Sequence, residues 1–352
     1  MRHPLSEDLD HILKHTEGLW EELRGKRIFI TGGTGFFGCW LLESLMWANT
    51  KLDLKVKATI LTRNHHSFIK KVPHLAENSS VSFLSGDIES FRFPRLKYSH
   101  LIHAAVENTD NFYTDNKKLV TDVTVLGTRR IITFAQHCGV RKMLFTSSGA
   151  VYGRQPFDML RIPEEYSGAP DPLDTNYRYS IPGEAKRIAE SMCILTCRNF
   201  GIDIKIARCF SFLGPYLPID GKFAAGNFMR DAIYGNSIVV NGDGSAVRSY
   251  LYAADLVIWL WTIFLKGIAG RPYNVGSEKE ITIRELASSV SRTIDTKLPV
   301  RVLQRRRPRE LPERYVPDIS RGQKELGLKQ WIDLKESLRR WNNFLTEVRN
   351  SQ

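Results

Sequence analysis

The sequence predicts an α/β fold, a doubly wound parallel sheet followed by a smaller C-terminal α/β lobe. Three observations carry that prediction. Strand-like apolar runs alternate with helical stretches between residues 26 and 210, a rhythm that gives parallel strands with helices on both faces. A glycine-rich turn, Thr31-Gly32-Gly33-Thr34-Gly35-Phe36-Phe37-Gly38, joins the first such run to the first such helix. Past residue 211 the rhythm breaks into loops punctuated by Gly, Pro and Tyr, such as LGPYLPIDGKFAAGN.

Taken in order, residues 6–24 read as an amphipathic helix with Leu9, Ile12, Leu13, Leu19, Trp20 and Leu23 apolar. It precedes the first strand and is expected to pack outside the sheet domain or against a partner. Strands are predicted at Arg27–Thr31, Val56–Thr62, Val81–Leu84, His100–Ala104, Lys142–Ser147 and Ile204–Cys209, with helices at Phe37–Ala48, Asp122–Cys138 and residues 182–200. Short strands at Ser237–Val240 and Pro299–Leu303 and helices at Ile283–Ile294 and Asp333–Val348 follow. The division is therefore an N-terminal helix (1–25), a sheet domain (26–210) and a smaller lobe (211–352) closing over the sheet's C-terminal edge, with the chain interleaving between the last two.

Of 352 residues 42% are hydrophobic and 25% charged, enough for a sizeable core and against disorder. The net charge is +12. Only Arg305, Arg306, Arg307 and Arg309 cluster, without a nucleic-acid motif around them, so no nucleic-acid partner is expected. A basic cleft for an anionic small ligand fits, on top of a generally basic surface. Five cysteines without framework spacing argue for reduced thiols and a cytoplasmic protein. The first residues are polar, not a signal peptide, and the most apolar stretch, Leu256 to Leu265, is too short to cross a membrane. The nine histidines show no ligand spacing, so no metal is expected; His65 and His66 read as loop residues and His103 as core.

The glycine turn carries chemistry. Gly32 permits the tight turn, Gly35 a close approach of backbone to a pyrophosphate, and Gly38 close packing of helix on strand. The helix N-terminus then presents free N–H groups to phosphates. Its G-x-x-G-x-x-G spacing is that of short-chain dehydrogenases. The second strand ends at Leu61-Thr62-Arg63-Asn64, without the acid that would hold an NAD ribose. The cofactor is therefore NAD or NADP, with Arg63 favouring the 2′-phosphate of NADP.

Further segments follow in order: Ser85-Gly86-Asp87-Ile88, His103-Ala104-Ala105, Gly127-Thr128 (with Thr124 where an Asn is usual), Ser147-Ser148-Gly149-Ala150-Val151-Tyr152-Gly153, Arg208-Cys209-Phe210 with Gly214-Pro215, Arg248-Ser249-Tyr250 with Asp255, Tyr273-Asn274-Val275-Gly276, and Arg314-Tyr315 with Asp318. Together they resemble the NAD-dependent epimerase/dehydratase family, extended short-chain dehydrogenases that modify nucleotide sugars, from residue 26 to about 345. The resemblance implies a Rossmann-type sheet and a substrate-binding lobe. It implies cofactor contacts at Gly32, Thr34, Gly35, Phe36, Phe37, Gly38, Asp87, Ile88, Ala104, Ala105, Lys186 and Phe210. It implies substrate contacts at Ser148, Ser211 (the family's Asn), Asn227, Arg248 and Arg314, Arg248 alternatively forming a structural pair with Asp255. A homodimer built on helices 115–138 and 182–200 is implied as well.

The family's chemistry uses a Ser or Thr, a Tyr and a Lys. Ser148 and Lys186 match two of them, but Pro182 stands where the Tyr belongs, four residues before Lys186. Proline moves no proton, though a helix tolerates it in the first turn. Tyr179 or Tyr177 is a replacement from the preceding loop, with Tyr179 the catalytic candidate; Pro182 disfavours helical geometry at Ile181 and so opposes that placement. Gly149 and Ala150 replace the Asp-Glu pair of sugar 4,6-dehydratases, which excludes the usual dehydration. The implied activity is an NAD(P)-dependent, epimerase-like oxidation of a nucleotide sugar. A redox-silent binding protein, and a nucleotide-sugar oxidase, reductase or decarboxylase, are the alternatives.

Overall fold

The computed structural model describes residues 3–105, 117–174, 177, 179–221, 223–294, 298–306 and 311–350. Residues 115 and 116 of the expected dimer helix, and Arg307 and Arg309, lie outside them. The sheet half of the chain runs α1 (Ser6–His15), β1 (Arg27–Thr31), α2 (Phe36–Lys51), β2 (Lys57–Thr62), α3 (His65–Lys71), α4 (Pro73–Ala76), β3 (Val81–Ser85), β4 (His100–His103), α5 (Lys117–Cys138), β5 (Lys142–Ser148), α6 (Ser180–Phe200) and β6 (Asp203–Cys209). There follow β7 (Phe212–Leu213), α7 (Ala224–Ile233), β8 (Ile238–Val240), β9 (Val247–Ser249), β10 (Leu251–Tyr252), α8 (Ala253–Lys266), β11 (Pro272–Val275), β12 (Glu280–Thr282), α9 (Ile283–Thr293), β13 (Val300–Val302), β14 (Arg314–Tyr315), α10 (Ser320–Leu326) and α11 (Leu334–Asn350).

Seven parallel strands form the main sheet in the order β11-β6-β5-β4-β1-β2-β3. The strands read as continuous apolar runs because both faces are covered. Alternation inside β1 shows it: Ile28 and Ile30 enter the core under α2 and α8, and Phe29 enters the opposite core under α5 and α6. The seventh strand, β11, comes from beyond residue 211, so the chain returns to the sheet after building part of the lobe. Three small sheets, β10-β7, β12-β9-β14 and β13-β8, build the rest.

Two expectations need correction. The N-terminal helix ends at His15, ahead of a left-handed Gly18 (φ +76°) and a single 3-10 turn at Trp20–Leu23. Nor does it pack outside the sheet domain: α1 lies on α2 and α8, with Leu9, Ile12 and Trp20 in the main core. The cause is α8. Its sequence is apolar all round, and 12 of its 14 residues are buried, so the face turned from the sheet needs its own cover. Trp20 supplies part of it, its ring 5.0 Å from Trp261, and Asp8 accepts a hydrogen bond from Tyr252 at 2.7 Å. Second, His65 and His66 open helix α3 rather than a loop, because Asn64 caps it by accepting from His66 N at 3.0 Å. Among the described residues no helix is long and apolar enough to cross a membrane.

Candidate active site

The turn at residues 32–38, Asp87, Ala104, Ala105, Ser148 and Phe210 follow or end strands of the main sheet at their carboxyl ends, where ligands bind in open α/β sheets. Gly32 follows β1 with φ +70°, and a Cβ there would overlap the Ala104 carbonyl at the end of β4. A Cβ at Gly38 would overlap the Gly32–Gly33 backbone, so both glycines are required by close approach. Gly35 is the N-cap of α2 and has no side chain to offer, which leaves the first-turn N–H groups uncapped. Thr34, Phe36 and Phe37 are half-buried around that turn, and Phe37 meets Phe212 edge-on at 5.3 Å.

Arg63 is exposed directly after β2. Asp87 follows β3, one carboxylate oxygen accepting from Glu89 N at 3.0 Å, and Ile88 is buried against Gly127. Ala104 and Ala105 are tied to β1: Ala104 N donates to Thr31 O and Ala105 N to Thr31 Oγ1, both at 3.2 Å. Behind them runs a relay that the sequence did not reveal. Thr128 Oγ1 donates to Thr124 O at 2.6 Å, so it accepts from His103 Nε2 at 3.1 Å, and His103 Nδ1 accepts from Thr31 Oγ1 at 2.8 Å. Burial, with Lys186 nearby, pushes the His103 pKa down to about 3, so the ring is neutral, as this tautomer requires.

Lys186 is 4% exposed on α6. Its Nζ donates to Thr146 O at 2.8 Å and lies 4.7 Å from the centre of the Phe145 ring. Burial lowers its pKa to about 8. Pro182 is the third residue of α6, and Tyr179 is the N-cap. Ile181 is helical, against the bias that proline imposes on its predecessor. The first turn has no intrahelical carbonyl for the ring to strike, and Gly183 N closes it on Tyr179 O at 2.8 Å. Tyr177 is buried, its hydroxyl donating to Gly153 O at 3.1 Å.

Ser148 ends β5, its Oγ accepting from Ala150 N at 3.1 Å and standing 3.4 Å from the Tyr315 hydroxyl. Tyr315 enters sequence reasoning only within a family segment, with no catalytic or binding role. It pairs with Arg248 across β14 and β9. Its ring stacks on Tyr179 at 5.9 Å and 14°, lies 4.7 Å from Phe210, and has the Arg248 guanidinium carbon 5.9 Å from its centre. Burial raises its pKa well above that of a free phenol; Ser148 and the Arg248 charge act in the other direction. A Cβ on Gly149 would lie 2.7 Å from both Tyr315 Oη and Phe210 Cε1, so aromatic rings fill the space beside the missing dehydratase acid. Only the tertiary structure places β14 here, 167 residues from Ser148.

The structure thus brings Ser148, Phe210, Tyr179, Tyr315 and Arg248 together, with Lys186 hydrogen-bonded to the carbonyl of Thr146, two residues before Ser148. Other assignments fare differently. Ser211 is half-buried, its carbonyl accepting from Leu251 N at 3.1 Å. Asn227 lies on α7 with Arg230 Nη1 at 3.4 Å. Arg248 forms an ion pair with Glu313 at 2.5 Å, not with Asp255. Asp255 is buried; its Oδ2 accepts from Trp331 N and Ile332 N at 2.9 and 3.0 Å, and its Oδ1 lies 3.4 Å from His11 Nε2. The Arg314 side chain pairs with Glu280, away from Tyr315.

The family model described as the NAD dependent epimerase/dehydratase family matches residues 28–276. The chain belongs to this family. Among curated relatives, UDP-glucuronic acid decarboxylase 6 and UDP-glucuronic acid decarboxylase 3 of Arabidopsis thaliana are each 30% identical, covering 89% of this chain and 86% of their own length. An epimerase from Methanothermobacter thermautotrophicus superposes with a TM-score of 0.78 at 23% identity, over 99% of this chain and 98% of its own. The UDP-glucuronic acid 4-epimerase of Bacillus cereus, solved with UDP-glucuronic acid and NAD, gives 0.76 at 20%, over 92% and 99%. Both share the fold.

Proposed function

We propose that the chain is an NAD(P)-dependent, epimerase-like enzyme that transiently oxidises the ring of a nucleotide-activated sugar. One observation carries the reading: the uncapped N-terminus of α2 at Gly35 shares a sheet edge with Ser148 and the buried Lys186. The nicotinamide would accept and return a hydride. Gly32, Thr34, Gly35, Phe36, Phe37 and Gly38 would hold its pyrophosphate, Asp87 and Ile88 the adenine end, Ala104 and Ala105 the middle, and Lys186 and Phe210 the nicotinamide end. Arg63 suits a 2′-phosphate.

On the substrate side, Ser148 orients a sugar hydroxyl, and Ser211, Asn227, Arg248 and Arg314 border the nucleotide. The phenol that Pro182 lacks is supplied by Tyr315 rather than Tyr179, because its hydroxyl is the one beside Ser148. As the sugar hydroxyl loses its proton to this phenolate, the carbon is free to release a hydride. Lys186 holds its ammonium near the cofactor. The protein acts as a cytoplasmic homodimer through α5 and α6.

Decarboxylation is the second reading, favoured by the glucuronic acid decarboxylases among the relatives; a 4-keto uronic acid loses its carboxylate as carbon dioxide once oxidised. The test is incubation with NAD or NADP and UDP-, GDP-, CDP- and dTDP-sugars, UDP-glucuronic acid among them. An epimer is the expected product, and a pentose with released carbon dioxide selects the second reading. Bound cofactor with neither product nor cofactor reduction leaves a redox-silent binding protein.

A further inference from the structure

Away from the active site, three side chains distant in sequence converge on one point. His3 precedes α1, Glu43 lies on α2 and His74 on α4. His3 Nε2 stands 3.2 Å from His74 Nε2 and 3.4 Å from Glu43 Oε2, and His74 Nε2 is 2.9 Å from Glu43 Oε1. Glu43 is buried, His3 half-buried and His74 open to solvent, so the cluster has a fixed base and an entrance.

Two imidazole Nε2 atoms facing each other beside one carboxylate are awkward without a shared cation. His3 Nδ1 accepts from Leu5 N, so a neutral His3 ring carries its N–H on Nε2; with His74 also turning Nε2–H to Glu43, two N–H groups confront each other across 3.2 Å. A cation removes the conflict. Atoms bound at ~2.0–2.1 Å to a tetrahedral zinc ion lie ~3.3 Å from one another; the two Nε2 atoms are 3.2 Å apart, and one Glu43 oxygen faces each ring, Oε2 at 3.4 Å from His3 and Oε1 at 2.9 Å from His74, with one donor atom from each residue lying within 4.8 Å of the other two. Two imidazoles and a carboxylate suit zinc-class ions better than magnesium or calcium.

Tyr216 is an independent sign. Its φ of +71° is left-handed, a conformation that a bulky aromatic residue rarely adopts. Its hydroxyl donates to Glu43 Oε1. The unusual backbone therefore fixes the carboxylate through Oε1, the oxygen that also faces His74, as outer partners do for ligating carboxylates.

We propose that His3, Glu43 and His74 bind one divalent transition-metal ion of the zinc class, clipping the start of the chain to α2 and α4, with a fourth position open to water. Loading switches the His3 tautomer. Leu5 N now donates to His3 Nδ1 at 3.2 Å; with Nε2 on the ion, Nδ1 carries the proton and that single bond opens.

The test uses the tag-free full chain, stripped with a chelator. It is titrated with Zn2+ by calorimetry and with Co2+ by visible absorption. One ion per chain, a low-coordinate Co2+ spectrum and a higher melting temperature with Zn2+ are expected. His74 is exposed, so His74→Ala keeps the fold and is the deciding variant, with binding weakened at least ~100-fold. Glu43→Gln is expected to match it, with circular dichroism checking its fold. The double variant His65→Ala/His66→Ala removes another close imidazole pair, 4.1 Å between rings, and leaves binding unchanged. Absence of binding, survival of binding in His74→Ala, or its loss in the His65/His66 variant overturns the assignment.

Discussion

Tyr315 and Gly149 compete for one volume: the Tyr315 hydroxyl lies 2.7 Å from where a Gly149 Cβ would be. A residue with any side chain at position 149 must push aside a ring that is stacked on Tyr179 and packed on Phe210. Gly149→Asp is therefore expected to lower stability by about 1–3 kcal/mol, as overpacking does, without creating dehydratase activity. Thermal unfolding measures the first effect. A combined loss in Gly149→Asp/Tyr315→Ala smaller than the sum of the two single losses identifies the contact with Tyr315 as part of the cause.

Tyr315→Phe removes the hydroxyl beside Ser148 and keeps the ring. It is expected to lower kcat by roughly 10²–10⁴-fold, the range for losing a general base, with KM little changed. Tyr179→Phe leaves the stacking and changes kcat less than tenfold, a bound set well below that range. An active wild type whose rate is untouched by Tyr315→Phe would remove Tyr315 from the mechanism and leave the nucleotide-sugar reading standing.

The pH profile follows from opposed shifts. Burial raises the Tyr315 pKa, so the phenolate grows only toward alkaline pH. The Lys186 pKa is lowered to about 8, so its ammonium is lost as pH rises through that value. Turnover is expected to rise up to about pH 8, to level off above it as gain of phenolate offsets loss of the Lys186 ammonium, and to fall only above the raised Tyr315 pKa. Lys186→Met should remove the levelling along with most cofactor affinity, measured by fluorescence titration.

Lys186→Met has a second consequence. A buried ammonium with its pKa pulled down favours the unfolded chain at neutral pH, because the unfolded lysine holds its proton more tightly. Replacement by an apolar residue of similar size is expected to raise stability by roughly 1–3 kcal/mol while cofactor binding falls. Denaturant melts at pH 7 and at pH 10 check it: the gain should shrink at the higher pH.

Leu126, Ile188 and Leu195 are 48%, 46% and 56% exposed on α5 and α6, an apolar surface that suits a helical dimer contact. Sedimentation is expected to give about twice the 40.3 kDa chain mass. Leu195→Arg should return the monomer; a wild type that sediments as a monomer at micromolar concentration rejects the contact.

The turn at residues 32–38, the six strands from Arg27 to Cys209 and the positions of Ser148, Lys186 and Pro182 were legible in the linear chain. Local rules set them: apolar periodicity, the glycine needed at a positive φ, and the fixed spacing of residues on one helix. What stayed hidden depends on contacts between distant segments. Residues 315 and 148 meet only because β14 pairs with β9, and Arg248 finds Glu313 rather than Asp255. His103 has a tautomer only because Thr31 and Thr128 close on it from two other elements.

The N-terminal helix makes the same distinction. Its amphipathic pattern announced an apolar face but not what that face covers, since α8 lies more than two hundred residues downstream. Short-range spacing specifies conformation residue by residue, because sterics and hydrogen bonding act between neighbours. Which side chains share a site is decided by long-range burial, which is non-directional and rewards any apolar partner that the topology brings within reach.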